Sequence, residues 1–527
     1  MKTGESSGES RLIPIAAIAA LAAALGFVTI FSYQCGWQWI DSDHSSEMVL
    51  GKLLAEENAF VSSSWLYSTE LRIVYQTVFT MPLFKLLGRH ENWALIRALN
   101  ILLNNIVLIL SYVFLMKSMK IRAKWILISS LFLLMPLSVT YWNIVTFGGY
   151  YVFFIAQLFL CLGLFVAAAR PDSGQKTRRN YFILFLMVSF ALGAQTVRSL
   201  LAVHIPLLLA CVCMGHGKKK FPLFPAGYGF AACCAGYGVN WLLHFGYSFK
   251  SFTNLRIDDL FTYFFPKLGR CLATVAAFFG VYARSPVFSV RGFFSIAAAA
   301  LTFILLLLTF KLFRLRKSRE YMFMPVFFAV SLLFNIFVFV IVNQPIIDRF
   351  FIPLLILYIP LAAILFAHAE KSCGSLKSRA LVCGIALFVI GQGCLTFQSL
   401  ASADANSGRK GYIHYLLDNK LDYGFATHWN ANVTTELSNG RIELAGLDAR
   451  IISGTNTNPF RMLDSLIPQK FFDPFYHRGE SFLLLSREEW DTVRRRRSFS
   501  ALAPDYEDKQ FIIIRYPSAE TIHREAL

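Results

Sequence analysis

Runs of fifteen to twenty-five apolar residues recur along this chain, and no other feature constrains its fold as much. A helix needs about 20 mostly apolar residues to cross the hydrocarbon core of a bilayer. The runs are Leu12–Ser32, Arg97–Met116, Trp125–Val139, Tyr150–Ala169, Tyr181–Val197, Ser199–Met214, Phe221–Phe245, Gly292–Phe313, Tyr321–Val342, Phe350–Ala367 and Ala380–Phe397. They predict eleven transmembrane helices, the shorter ones tilted or set in locally thinned surroundings. Leu268–Tyr282 is shorter and interrupted by Arg270, so it reads as a re-entrant or interfacial helix. The first run is too long for a signal-peptide core and lacks a convincing cleavage site, which makes it a retained anchor. Only 16% of the 527 residues are charged and 56% are hydrophobic, where soluble chains carry roughly a quarter charged residues. A soluble enzyme and a disordered or fibrous chain are thereby excluded. The ten cysteines lie mostly in or beside apolar runs and form no disulfide framework.

The net charge of +18 is placed unevenly, as expected when basic residues gather in cytoplasmic loops. With the N-terminus inside, the inner connections 117–124, 170–179, 215–220, 311–320 and 368–379 hold 19 basic and 3 acidic residues. The outer connections hold 12 and 10. An odd number of spans then places residues 399–527 outside. The reading is a polytopic α-helical membrane protein of the cell membrane, with about 11 transmembrane helices in residues 1–398 and a long first extracytoplasmic loop, 34–96. A small α/β extracytoplasmic domain follows at 399–527, with strand-like runs at Ser481–Leu485 and Gln510–Tyr516. Its Arg494–Arg497 run reads as a solvated face, with lipid-headgroup contact as the alternative.

Polar residues converge in the first outer loop. Trp37-Gln-Trp-Ile-Asp41-Ser-Asp43-His44-Ser-Ser-Glu47 follows directly on the first span. Asp41, His44 and Glu47 have the spacing that puts side chains on one helical face. A carboxylate desolvated beside Trp37 and Trp39 gains basicity and can take a proton from a hydroxyl nucleophile. The plainer alternative is an acidic first turn that favours a helix dipole. Farther along, Glu70 is a substrate-binding candidate, and an ion pair with Arg72 accounts for it equally well.

Basic residues in the other outer connections run against the charge asymmetry. Arg198 sits between two spans, Arg256 lies in the 246–291 segment, and Arg349 follows Asp348 before a late span. Guanidinium grips phosphate bidentately, so a phosphate ligand at the outer leaflet accounts for them. Pairing with Asp348 is the alternative for Arg349. For Lys250, Arg270, Arg284 and Arg291, headgroup contact or snorkelling is favoured. Acid on one side and guanidinium on the other suits transfer from a donor whose leaving group is a phosphate.

The chain resembles the GT-C superfamily of polytopic glycosyltransferases, whose members include protein O-mannosyltransferases and the bacterial aminoarabinose transferases that modify lipid A. The resemblance rests on the first span with Asp41-Ser-Asp43-His44-Ser-Ser-Glu47, the long first outer loop, the Asp348-Arg349-Phe350 turn and the outer C-terminal domain. Family members often carry Asp-Glu where this chain has Asp41-Ser42, so the second acid can be Asp43. Many carry Arg-Tyr at Arg349-Phe350. The resemblance implies a polyprenyl-phosphate sugar donor, an inverting mechanism and Asp41 as general base. On the residues themselves, Asp43 or Glu47 is expected to support Asp41, and His44 is a substrate-binding candidate. The expected acceptor is a glycan, a lipid or a protein, and the sequence does not choose among them. The segment Tyr423–Asn432 is polar and aromatic; it either packs a small domain or helps hold an acceptor glycan.

The competing class is a transporter or flippase for a lipid-linked precursor, which needs charges or broken helices near the bilayer midplane. The mid-span regions are nearly free of charge, although Pro136, Gly193 and Pro206 could break helices. No cofactor is expected, and the acids with His44 leave a divalent metal open as the alternative. Nucleic acid is not an expected partner; membrane lipids are.

Overall fold

The computed structural model describes residues 9–527 apart from 70, 72, 89–91, 216–221, 251–256, 258–259, 283, 315–318, 343–348, 350, 352–354, 373–374, 450–458, 497–498 and 500–501. In chain order the helices are α1 Glu9–Cys35, α2 Ser42–Glu57, α3 Thr77–Leu87, α4 Trp93–Ser118, α5 Ala123–Leu134, α6 Val139–Tyr141, α7 Gly149–Ala168, α8 Gln175–Gln195, α9 Ile205–Cys213 and α10 Leu223–Leu243. They continue with α11 Leu260–Phe278, α12 Val290–Arg314, α13 Arg319–Ile341, α14 Tyr358–Ser372, α15 Ser375–Ser402, α16 Arg409–Asp418, α17 His428–Leu437, α18 Arg487–Val493 and α19 Ala519–Glu525. The chain divides into two compact units. One comprises Met1–Ile30, Ile101–Trp241 and Thr253–Ser402; the other comprises Phe31–Asn100, Leu242–Phe252 and Ala403–Leu527.

The first unit is helical. Each of the eleven expected spans overlaps a helix, but among the described residues only five single helices are long and apolar enough to cross a membrane, or six with one bent pair. This is the architecture of a multi-pass membrane protein with a span count not fixed at eleven. The expected span Trp125–Val139 is broken, with a 98° bend between Ala123–Leu134 and Val139–Thr146. Pro136 disfavours a helical conformation at Met135, which is extended at φ −96 and ψ 104, so α5 stops at Leu134. The chain restarts at Ser138, whose hydroxyl accepts from Tyr141 N and caps the next turn.

Such a break leaves backbone carbonyls to satisfy where water is scarce. Gln392 does this, donating from Nε2 to Leu137 O at 2.9 Å and to Gly280 O at 3.1 Å. Gly280 has φ +87, and a Cβ there would lie 2.0 Å from Gln392 Nε2, so only glycine fits. Gly193 does not break its helix as the sequence allowed. It lies within α8, where a Cβ would meet Cys233 O of α10 at 1.9 Å, so its role is close helix packing. Pro206 sits at the start of α9 after a π-helical turn, Leu200–His204, where its missing N–H is tolerated. The segment read as re-entrant, Leu268–Tyr282, overlaps α11, which contains Pro266.

The second unit is built on a sheet. Strands β1 Trp65–Leu66 and β5 Ile467–Pro468 pair antiparallel. The main sheet has six strands in the order β4 Phe460–Met462, β3 Glu443–Ala449, β2 Tyr423–Thr427, β6 Ser481–Ser486, β8 Phe511–Tyr516 and β7 Tyr506–Glu507. The central β2 runs parallel to both β3 and β6, and the edges are antiparallel. Successive side chains alternate between faces, and here both faces are covered. Leu483, Leu485, Ile512 and Ile514 enter one core with Tyr423 and Phe425, while Phe482, Leu484, Phe511 and Ile513 enter another with Tyr412 and Leu416. The two strands legible in the sequence are thus β6 and β8. The loop after the first span belongs to this same unit, and its α2 packs against α17 of the tail.

Candidate functional site

The Asp41 cluster forms where α2 begins. Asp41 is the N-cap, with extended backbone at φ −123 and ψ −179. Its Oδ1 accepts from His44 N at 2.9 Å and lies 2.7 Å from His44 Nδ1. The predicted spacing of three therefore gives a real contact between Asp41 and His44, through the capping geometry that Asp favours. Both contacts fall on Oδ1, and the Asp41 side chain stays 48% exposed. Glu47 lies one turn farther along α2 and is buried, at 8% exposure. Burial works to raise the Asp41 carboxyl, but the charge of His44 and its two hydrogen bonds outweigh it. The net position is below the ordinary carboxylate value, against a small upward push from Asp43. The expected gain in basicity beside Trp37 and Trp39 is thus reversed by a local partner.

Asp43 is held from the tail. His428 Nε2, at the start of α17, lies 3.3 Å from Asp43 Oδ1, and Ser42 Oγ donates to the His428 carbonyl. Asp43 O accepts from Ser46 Oγ at 2.7 Å. Beneath these, Arg97 of α4 grips Glu436 of α17 bidentately, Nε to Oε1 at 2.5 Å and Nη2 to Oε2 at 2.6 Å. The same Nη2 donates to His44 O at 3.0 Å. The turn before α2 is fastened as well, by Asn406 Nδ2 donating to Trp37 O at 2.8 Å and Ile40 O at 2.9 Å. Asp41 and Asp43 thus sit on a helix start fixed by α17 and Asn406 of the tail. The contacts of His428, Arg97, Glu436 and Asn406 had no signal in the sequence, because their partners lie hundreds of residues away. The Tyr423–Asn432 segment, read as packing or glycan contact, supplies β2 and the start of α17; its Trp429 is 61% exposed beside His428.

The basic candidates belong to the other unit. Arg198 follows α8 and donates from Nη1 to Tyr151 Oη at 3.0 Å. Arg349 is partly buried in a turn before α14. Arg256 and Glu70, with Asp348 and Arg72, lie outside the described residues. Of the basics assigned to headgroups, Lys250 pairs with Asp464 at 3.2 Å and Arg291 donates to Ser399 Oγ at 2.9 Å. Among the described residues no group of three or more His, Cys, Asp or Glu is placed to hold a metal ion, so the Asp41–His44 and Asp43–His428 pairs stay separate as ligand sets.

Asp41 is thus a half-exposed carboxylate clamped through one oxygen, just beyond the candidate membrane span Ile15–Gln38. The fold of the chain is similar to those of two solved proteins. ArnT from Cupriavidus metallidurans, solved bound to undecaprenyl phosphate and in the apo state, superposes with a TM-score of 0.56 at 10% identity, covering 94% of this chain and 97% of that one. The Archaeoglobus fulgidus oligosaccharyltransferase, solved with Zn and sulfate, gives 0.51 at 10% identity, over 95% of this chain and 76% of that one. By sequence, no family model and no curated protein matches this chain.

Proposed function

We propose that the protein is a membrane glycosyltransferase that moves a sugar from a polyprenyl-phosphate donor to an acceptor hydroxyl at the outer face of the membrane, with Asp41 as general base. The observation that carries this reading is the Asp41 carboxylate, clamped at the start of α2 with half its side chain exposed. The shared fold, with a neighbour solved holding undecaprenyl phosphate, supports the donor class. Asp41 takes the acceptor proton as the oxygen attacks the anomeric carbon and the bond to phosphate breaks. A single displacement of this kind inverts the anomeric centre. Arg198 and Arg349, with Arg256, stabilise the departing phosphate. His44 orients Asp41, and the His428–Asp43 contact fixes the turn that carries both. The N-terminus is cytoplasmic and residues 399–527 are extracytoplasmic.

The test uses the purified chain with a panel of polyprenyl-phosphate sugars and follows release of polyprenyl phosphate. Asp41→Asn keeps shape and capping but removes the basic carboxylate, and turnover should fall by about 100- to 10,000-fold with donor affinity unchanged. Asp43→Asn should be milder. Normal turnover in Asp41→Asn with a dead Asp43→Asn or Glu47→Gln would transfer the role to another acid.

A further inference from the structure

A cavity of about 370 Å3 lies inside the sheet-bearing unit, beside the start of α2. It falls within the roughly 300–1,000 Å3 typical of small-ligand pockets. Ser32 and Trp37 line it from the end of the candidate span Ile15–Gln38, and Ala94 and Arg97 from the beginning of Trp93–Ser118. A cavity walled by the ends of two candidate membrane spans suits an amphiphilic occupant. Ile40, Ile413, Leu417 and Leu437 supply apolar wall.

The charged part of the wall is one-sided. Among the described residues, Arg97, Lys410 and Arg441 line it against Glu436 alone, and Arg97 is engaged with Glu436 and the His44 carbonyl. Asp404, which is not in the wall, holds Lys410 at 3.1 Å. Lys410 Nζ also stands 3.9 Å from the centroid of the Trp37 ring, which keeps the ammonium against the cavity. Arg441 spends its Nε on Ser438 O at 3.1 Å, which leaves two guanidinium nitrogens beyond that bond, and His414 lies exposed on the same wall. Cations of this kind beside aliphatic walls match an anionic headgroup with a hydrocarbon body.

We infer that this cavity takes the phosphate headgroup of a membrane lipid, gripped by Arg441 and Lys410. Its position, with Ile40 in the wall, sets that headgroup next to the Asp41 turn and on residues separate from the arginines proposed for the donor. The inference does not depend on Asp41 being a base.

The test is photolabelling of the full chain, reconstituted in phosphatidylcholine vesicles that contain a photoactivatable phosphatidic acid. Label should concentrate in peptides spanning Arg409–Arg441 and should be displaced by unlabelled phosphatidic acid. The double variant Lys410→Gln/Arg441→Gln should lower it about tenfold or more, the worth of one charge-assisted hydrogen bond. Lys410→Arg/Arg441→Lys keeps the charges and should retain label, which separates lost recognition from lost folding. Arg494→Gln/Arg495→Gln, on the α18 side of the unit, should change nothing. Labelling indifferent to the double variant, or lying outside Arg409–Arg441, overturns the inference. Displacement by inorganic phosphate as effective as by phosphatidic acid also overturns it, since that marks a site for free anions. Asp41→Asn should leave the labelling intact, so failure of the proposed catalysis and failure of this site are read separately.

Discussion

The Arg97–Glu436 pair should control the integrity of the candidate site. Both residues are nearly inaccessible, at 6% and 5% exposure, and the pair is bidentate at 2.5 and 2.6 Å. Two charges removed from water gain little net stability together, but one left alone is costly. Removing one partner of a buried pair costs about 3–5 kcal/mol. Arg97→Met also deletes the bond from Nη2 to His44 O, worth roughly another 1 kcal/mol. In a domain of this size each 1 kcal/mol lowers the melting temperature by about 2–4 °C, so Glu436→Gln should melt lower by roughly 6–20 °C and Arg97→Met by roughly 8–24 °C. The double variant Arg97→Met/Glu436→Leu removes both charges and should recover most of that loss, a coupling that a double-mutant cycle measures. The assay is thermal unfolding of the purified chain in detergent, followed by intrinsic fluorescence and by near-UV circular dichroism. Single variants that melt within a few degrees of the parent would refute the reasoning. So would a double variant as unstable as the two losses added.

Two further outcomes follow from the proposed chemistry. Arg349→Lys keeps the charge and loses the planar fork, so donor affinity should fall while the melting temperature holds; unchanged affinity for a polyprenyl-phosphate sugar would remove Arg349 from the donor site. The Asp41 carboxyl sits below its ordinary value, near pH 3.9 when unfolded, so its contribution to stability is complete above that value and is lost as pH falls through the lower folded one. Turnover limited by Asp41 should therefore stay level from about pH 8 to pH 5, and an acid limb with a midpoint above about 5 would assign the base to a different group.

What the sequence disclosed and what it hid divide along sequence separation. The Asp41–His44 contact spans three residues on one helix start, and a spacing argument finds it. The Asp43–His428 and Arg97–Glu436 contacts join residues 385 and 339 positions apart, which no local periodicity encodes. Arg97 was legible only as the polar edge of an apolar run. Strands β6 and β8 showed as apolar runs, whereas β2 hid in a polar-aromatic segment because Tyr423, Gly424 and Thr427 mask its burial on both faces. Apolarity located a helix at each expected span, but it does not report where a proline turns the chain. Pro136 was visible as a breaker; the 98° bend depends as well on Ser138 and on Gln392 from a distant helix.

The sequence left Asp41 with two competing roles, a helix cap or a general base, and the geometry makes them compatible. A cap needs one carboxylate oxygen directed at the first-turn amides, and Oδ1 does this through His44 N. The same oxygen meets the His44 ring, so the second oxygen is not consumed by either contact. Capping therefore fixes the carboxylate without occupying the atom that would accept a proton. It also explains the direction of the acidity: the partner that orients Asp41 necessarily favours its charged form more strongly than burial opposes it. Orientation costs intrinsic basicity, and what it supplies is a carboxylate that is ionised across the physiological range and held in one orientation. For the proposed attack on an anomeric centre, what this geometry supplies is the position and charge of the base rather than a raised affinity for the proton.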